Sequence, residues 1–135
     1  MGIRFDVYPL VCLVRYTANG AVTANDARQF LDAVLAHRHF EPGFDFLGDA
    51  NATGREPDAA YTAALANEVR ARADVLSPCR WAVVVSSPGG LALVRLWAPL
   101  TQAGGVEVAP FRTPDDAMAW LGPRTAVFRT PSPAH

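Results

Sequence analysis

Residues 106–121 read VEVAPFRTPDDAMAWL, and this stretch predicts one strand followed by one amphipathic helix. Val106 and Val108 alternate with other residues at the period of a strand that has one buried face. Thr113 supplies a side-chain oxygen for a helix N-cap, and Pro114 follows where a missing N–H costs nothing. The predicted helix has one apolar face, which carries Ala117, Trp120 and Leu121. The stretch therefore predicts a βα unit whose helix packs on a sheet.

The rest of the chain repeats this alternation of strands and helices. Two strands within residues 3–16 flank Pro9 and predict an antiparallel pair at one edge of the sheet. Further helices are predicted after Thr23, after Pro57 and over residues 91–102, and further strands over 44–47 and 80–86. Strands that alternate with helices of this length imply right-handed crossovers. We therefore expect a single-domain α/β fold with a mixed β-sheet over residues 1–121, with four helices, five or six strands and a proline-rich tail over 122–135.

Composition argues against several classes of function. The 135 residues carry a net charge of −1 without a basic block, so we expect no nucleic-acid partner. The basic residues are all arginine, which excludes lysine chemistry such as Schiff bases. The longest apolar run, residues 81–85, is too short for a membrane span. Cys12 and Cys79 match no metal or redox spacing and no signal peptide is evident, so we predict a cytoplasmic protein with free thiols and no cofactor or metal.

Polar side chains follow two of the predicted strands. Asp49 and Asn51 follow one strand, and Ser86 and Ser87 follow the next. The carboxyl ends of neighbouring parallel strands meet at one edge of a sheet, where open α/β sheets bind ligands. Backbone N–H groups and hydroxyls at the serine turn are suited to a phosphate or a carboxylate. The alternative, which the sequence favours, is a structural role: the serines and Asp49 cap the adjoining loops and helices.

The helix predicted over residues 91–102 is apolar around more than half of its circumference. Its apolar residues are Leu91, Leu93, Val94, Leu96, Trp97 and Leu100. One sheet cannot cover all of them, so we expect Leu93 and Trp97 to contact another subunit, the C-terminal tail or an apolar ligand. Arg95 either anchors a carboxylate across that contact or reaches a local acidic partner along the surface.

These segments together resemble the STAS/SpoIIAA-like family over roughly residues 5–121. The resemblance rests on the leading strand pair, on FEPGFDFLGDAN at 40–51, on LVRLWAPL at 93–100 and on the final βα unit. One branch of the family ends with Phe-Arg, an acidic helix start and Ala-x-x-Trp-Leu, which correspond here to Phe111, Arg112, Asp115, Asp116, Ala117, Trp120 and Leu121. The resemblance implies a SpoIIAA-like (STAS-like) mixed sheet and a bacterial regulatory domain that binds other proteins.

The best-known members of that family are anti-sigma-factor antagonists, in which a partner kinase phosphorylates a serine at a helix start. Phosphorylation of that serine switches off binding to the kinase. This chain has Glu56, Pro57 and Asp58 at the corresponding place, and Thr53 is the nearest hydroxyl. Asp58 would provide a permanent negative charge at a helix N-terminus. The resemblance therefore implies an interaction domain that lacks the usual phosphorylatable serine.

Two functions follow from these observations. The first is a non-catalytic, homodimeric regulatory domain with a protein partner of the anti-sigma or kinase type. The second is binding of a small apolar or lipid-like ligand beneath the helix over residues 91–102. Catalytic residues are not predicted, since no nucleophile has a recognisable base. The residues that we expect to bind a partner or ligand are Asp49, Asn51, Thr53, Asp58, Ser86, Ser87, Leu93, Arg95 and Trp97.

Overall fold

A computed structural model describes residues 3–18, 23–49 and 59–122. The strands are β1 (Ile3–Tyr8), β2 (Leu13–Ala18), β3 (Asp45–Asp49), β4 (Cys79–Val84) and β5 (Val106–Phe111). The helices are α1 (Ala24–Ala36), α2 (Ala59–Ala71), α3 (Ala73–Leu76), α4 (Pro88–Gln102) and α5 (Pro114–Leu121), and a 3₁₀ turn covers Pro9–Val11. The α/β class and the five-stranded mixed sheet are confirmed for these residues. They contain five helices rather than four, because a separate α3 follows α2.

The strand order is β1-β2-β3-β4-β5. Strands β1 and β2 are antiparallel, as expected for the leading pair, whereas β2, β3, β4 and β5 run parallel. Each parallel connection contains a helix, which is the arrangement that parallel neighbours require. The carboxyl ends of four strands therefore lie at the same edge of the sheet.

Helices cover both faces of the sheet. On one face, α1 and α2 pack Phe30, Leu31 and Val69 against a core that includes Tyr16 and Trp81. Helix α4 lies next to α2 and above β5 on this face. On the opposite face, α5 contributes Ala117, Met118 and Leu121 to a second core with Leu13, Leu47, Ala82 and Val84. Strand β4 is thus covered on both faces, as its continuous apolar run predicts.

Both cysteines lie differently from the sequence-based expectation. The apolar run over residues 10–16 predicts that Cys12 lies within a strand, but Cys12 ends the 3₁₀ turn with a left-handed φ of 55°, and β2 begins one residue later. Cys79 was expected in a loop, but it is the buried first residue of β4, because its N–H already donates to the carbonyl of Gly105 at 3.2 Å. At both cysteines, backbone contacts with distant parts of the chain determine where the strand begins.

Two helix boundaries also differ from the prediction. The apolar spacing in the second helix predicts a continuous element through Ala73, but α2 ends at Ala71 and Arg72 adopts a non-helical φ of −114° and ψ of 14°. Helix α4 begins at Pro88, three residues earlier than predicted, because Ser87 caps it. None of the described helices is long and apolar enough to cross a membrane.

Some predictions fall on parts of the chain outside the described residues. They are the binding roles of Asn51, Thr53 and Asp58, the helix start at Pro57 and the proline-rich tail beyond Gly122.

Candidate binding surface and apolar cleft

Helix α4 buries one side and exposes two large apolar residues on another, Leu96 and Leu100. Ser87 starts it by accepting a hydrogen bond from the Gly90 N–H at 3.0 Å. The buried side consists of Gly90, Leu91, Val94 and Thr101. In contrast, Leu96 is 66% exposed and Leu100 is 41% exposed, whereas Leu93 and Trp97 are partly buried. We call Leu93, Leu96, Trp97 and Leu100 the α4 apolar face.

The α4 apolar face has the spacing of a helix-pairing surface. Leu93, Leu96 and Leu100 are separated by three and then four residues, which places them in one row along the helix. Trp97 is a neighbour of this row, because it follows Leu93 by four residues and precedes Leu100 by three. Arg95 points elsewhere, since adjacent helical residues are turned by about 100°. The structure therefore brings Leu93 and Trp97 together and directs Arg95 away from the row.

An apolar cleft lies between α2, α4 and the sheet. Its cavity volume is about 80 Å³. Apolar and aromatic side chains form most of its wall, among them Tyr16, Leu65, Val69, Trp81, Val94 and Trp97. Trp97 belongs both to this wall and to the α4 apolar face, so the cleft and the face form one continuous apolar surface.

The floor of the cleft depends on a contact across three strands. Tyr16 on β2 reaches over Gly48 on β3 and accepts a hydrogen bond from Trp81 Nε1 on β4 at 2.7 Å. A Cβ atom on residue 48 would collide with the phenol ring of Tyr16. Trp81 is also stacked on Phe46, with ring centroids 4.0 Å apart. These contacts give the cleft a rigid aromatic floor.

The opposite face of the sheet carries a polar crevice of about 330 Å³. Two arginines and two acidic residues line it, namely Arg4, Arg15, Asp6 and Asp49, together with Tyr8 and Thr17. The register places Asp6 directly opposite Arg15 and Thr17 directly opposite Asp49. The charges of the crevice lining therefore balance.

Asp49, Ser86 and Ser87 lie at the same edge of the sheet, as expected. Strands β3 and β4 are parallel neighbours, and Asp49 pairs with Val84 just before the serines. Asp49 borders both the cleft and the crevice, whereas Ser86 and Ser87 line neither of them. Because the Ser87 oxygen already accepts from Gly90, the observed contact is the helix cap rather than a cradle for an anion.

Two further groups with potential chemistry have structural roles. Asp45 is 3% exposed, and its carboxylate accepts a hydrogen bond from the Arg80 N–H at 2.9 Å. Desolvation by burial, with a contribution from the charge of Asp45, raises the pKa of Cys79 to about 12. The Cys79 thiol is therefore protonated at neutral pH and is a poor nucleophile. Within residues 3–18, 23–49 and 59–122, no group of three His, Cys, Asp or Glu side chains is placed to hold a metal ion.

Sequence reasoning missed the α2 side of the cleft. Thr62, Leu65, Ala66 and Val69 line it, but their spacing of three and four residues is also that of any core-facing helix. The small residue Ala98 is the remaining signal, since a small side chain on a facing element leaves space. That signal cannot be interpreted before the strand order is known.

A scan of protein-family models and searches of curated proteins and solved structures found no match to this chain. Membership of the STAS/SpoIIAA-like family therefore stays a prediction from the sequence. The candidate surfaces are assigned from their geometry alone.

Proposed function

We propose that this chain is a non-catalytic, cytoplasmic interaction domain that forms a homodimer through the α4 apolar face. The observation that carries the proposal is the exposure of Leu96 and Leu100, 66% and 41%, in one row with Leu93. Leucines spaced three and four residues apart are self-complementary when two such helices pack against each other. Burial of this row stabilises the dimer by about 25 cal/mol for each Å² of apolar surface that is removed from water.

The regulatory part of the proposal is supported by the resemblance to STAS/SpoIIAA-like proteins. The elements on which the resemblance depends, a leading antiparallel pair followed by βα units, are present in this order. A protein partner of the anti-sigma or kinase type would then contact the surface near Asp49, together with Thr53 and Asp58. The non-catalytic part is supported by Ser87 and Cys79, whose potential nucleophilic groups serve a helix cap and a buried strand end.

The dimer is tested by light scattering coupled to size-exclusion chromatography over a range of protein concentrations. We expect the natural chain to have twice the mass of one chain, and Leu96→Glu to have the mass of one chain. A glutamate in the centre of the row would be buried without a partner, which is strongly unfavourable.

Gln102→Glu is the matched control, because residue 102 is exposed on α4 and turned by about 120° from Leu96. It should leave the dimer intact. A natural chain with the mass of one chain at all concentrations, or an unchanged dimer in Leu96→Glu, would refute the proposal. Circular dichroism confirms that each variant is folded.

A further inference from the structure

The apolar cleft between α2 and α4 has the properties of a site for a small ligand, independently of the dimer. Small residues on the two facing helices line it, Ala66 on α2 and Ala98 on α4. The aromatic residues Trp81 and Trp97 also line it. The space results from small side chains, so it closes when one of them is enlarged.

The polar groups around the cleft do not require water. Thr101 is 3% exposed, and its hydroxyl donates to the carbonyl of Ala98 at 2.9 Å. Among the described residues, no buried side-chain nitrogen or oxygen lacks a hydrogen-bond partner. A lining of mostly apolar side chains favours apolar molecules.

The volume restricts what part of a ligand enters. A cavity of about 150 Å³ holds a benzene molecule, so 80 Å³ has room for roughly three to four carbon atoms. Sites that enclose a whole drug-sized ligand measure about 300–1,000 Å³. The cleft therefore fits the end of a slender chain and excludes a bulky or polycyclic ligand.

Charge at the cleft restricts the rest of the ligand. Asp49, at the end of β3, is the one charged residue among the residues described as lining the cleft, but the alternation of the strand places its side chain on the same face as Leu47, in the polar crevice. A carboxylate or phosphate at the cleft would therefore lose water without gaining a charged partner among the described lining residues, which is unfavourable. We propose that the cleft binds a short unbranched alkyl chain whose polar end is not negatively charged.

A series of n-alkanols from ethanol to octanol tests the site, with the fluorescence of the cleft tryptophans as the readout. Affinity should rise about fourfold with each methylene that enters the cleft. It should level off after three to four carbons, because further carbons remain in water. Alkanoates of equal chain length should bind more weakly than the alkanols. Affinity that is independent of chain length, or tighter binding of the alkanoates, would overturn the proposal.

Variants test the assignment of the site to the cleft. Ala98→Leu fills the cleft and should abolish alkanol binding, and Ala66→Val narrows it from α2 in case the first variant does not fold. Ala92→Leu, an exposed position on α4, is the matched control and should bind like the natural chain. Equal binding by the natural chain and both cleft variants would contradict the assignment.

Discussion

Gly48 is required by packing, because the phenol of Tyr16 lies across it to reach Trp81. Glycine is the one residue without a Cβ, so no other residue leaves this space without a shift of the ring. The hydrogen bond between Tyr16 and Trp81 is buried, and separating the two groups would leave buried polar atoms unpaired. The backbone of one residue thus supports both the core and the floor of the cleft.

Gly48→Ala should therefore destabilise the protein by about 1–3 kcal/mol, the usual cost of forcing an extra methyl group into a packed core. Urea unfolding followed by circular dichroism measures the change in the free energy of unfolding. The same substitution in a Tyr16→Ala background should cost much less, since the ring that collides with the new methyl group is gone. An equal cost in both backgrounds would contradict this explanation.

Sequence alone does not predict the group formed by Tyr16, Gly48 and Trp81. These residues are far apart in the chain and meet because the register aligns Tyr16 with Gly48 and Trp81 with Phe46. Register is set by pairing between strands, not by the local pattern. In contrast, the cap residues Thr23, Ser87 and Thr113 act on residues three positions away, and each of these caps is present.

Helix α5 shows at the level of elements how a local signal stabilises a distant surface. The Thr113 hydroxyl accepts a hydrogen bond from the Asp116 N–H at 3.1 Å, and Asp115 and Asp116 complement the helix dipole. At the other end, Arg80 donates to the carbonyl of Trp120 at 2.6 Å. Eight residues held at both ends cover the second core.

Thr113→Ala should lower the free energy of unfolding by about 1 kcal/mol, because the first turn of α5 loses its capping oxygen. Thermal unfolding followed by circular dichroism would measure this loss. Thr113→Ser retains the oxygen and should be close to the natural chain in stability. If the serine variant is as unstable as the alanine variant, the cap is not the cause.

Element boundaries that depend on tertiary structure are harder to predict. The spacing of apolar residues continues past Ala71, but the helix breaks at Arg72, whose guanidinium pairs with Asp32 on α1 at 2.7 Å and with Glu68 at 2.6 Å. The cleft likewise arises between α2, α4 and the sheet. Neither helix alone contains the information for it.

At the level of the whole molecule, the arrangement of layers leaves α4 at one end of the row of helices on its face, with α1 at the other end. It lies beside α2 and above β5, one of the two edge strands of the described sheet. The carbonyl oxygens of Gly105 and Phe111 accept hydrogen bonds from backbone N–H groups at the two ends of β4. The backbone N–H and C=O groups of the odd-numbered residues of β5 therefore point towards β4, and the backbone of Pro110 points towards the open edge. Proline has no N–H to offer a further strand. Two copies therefore meet more readily through α4 than through this edge.

The dependence of global stability on pH should reflect the burial of Cys79. Its pKa is about 12 in the folded protein and has an ordinary value of 9.0. Below pH 9 the thiol is protonated in both the folded protein and the unfolded chain, so its ionisation does not lower the free energy of unfolding. As pH rises from 9 to 12, the unfolded chain ionises and the folded protein does not, so stability falls by up to about 1.4 kcal/mol per pH unit.

Urea unfolding of reduced protein between pH 7 and pH 11 tests this, with the natural chain compared to Cys79→Ala. At neutral pH the variant should be less stable, because it leaves a small cavity. Above pH 9 the difference should shrink, because only the natural chain gains from ionisation on unfolding. Cys12→Ala controls for the loss of a thiol at a partly buried position. A difference between the natural chain and Cys79→Ala that stays constant to pH 11 would mean that the thiol ionises as readily in the folded protein as in the unfolded chain.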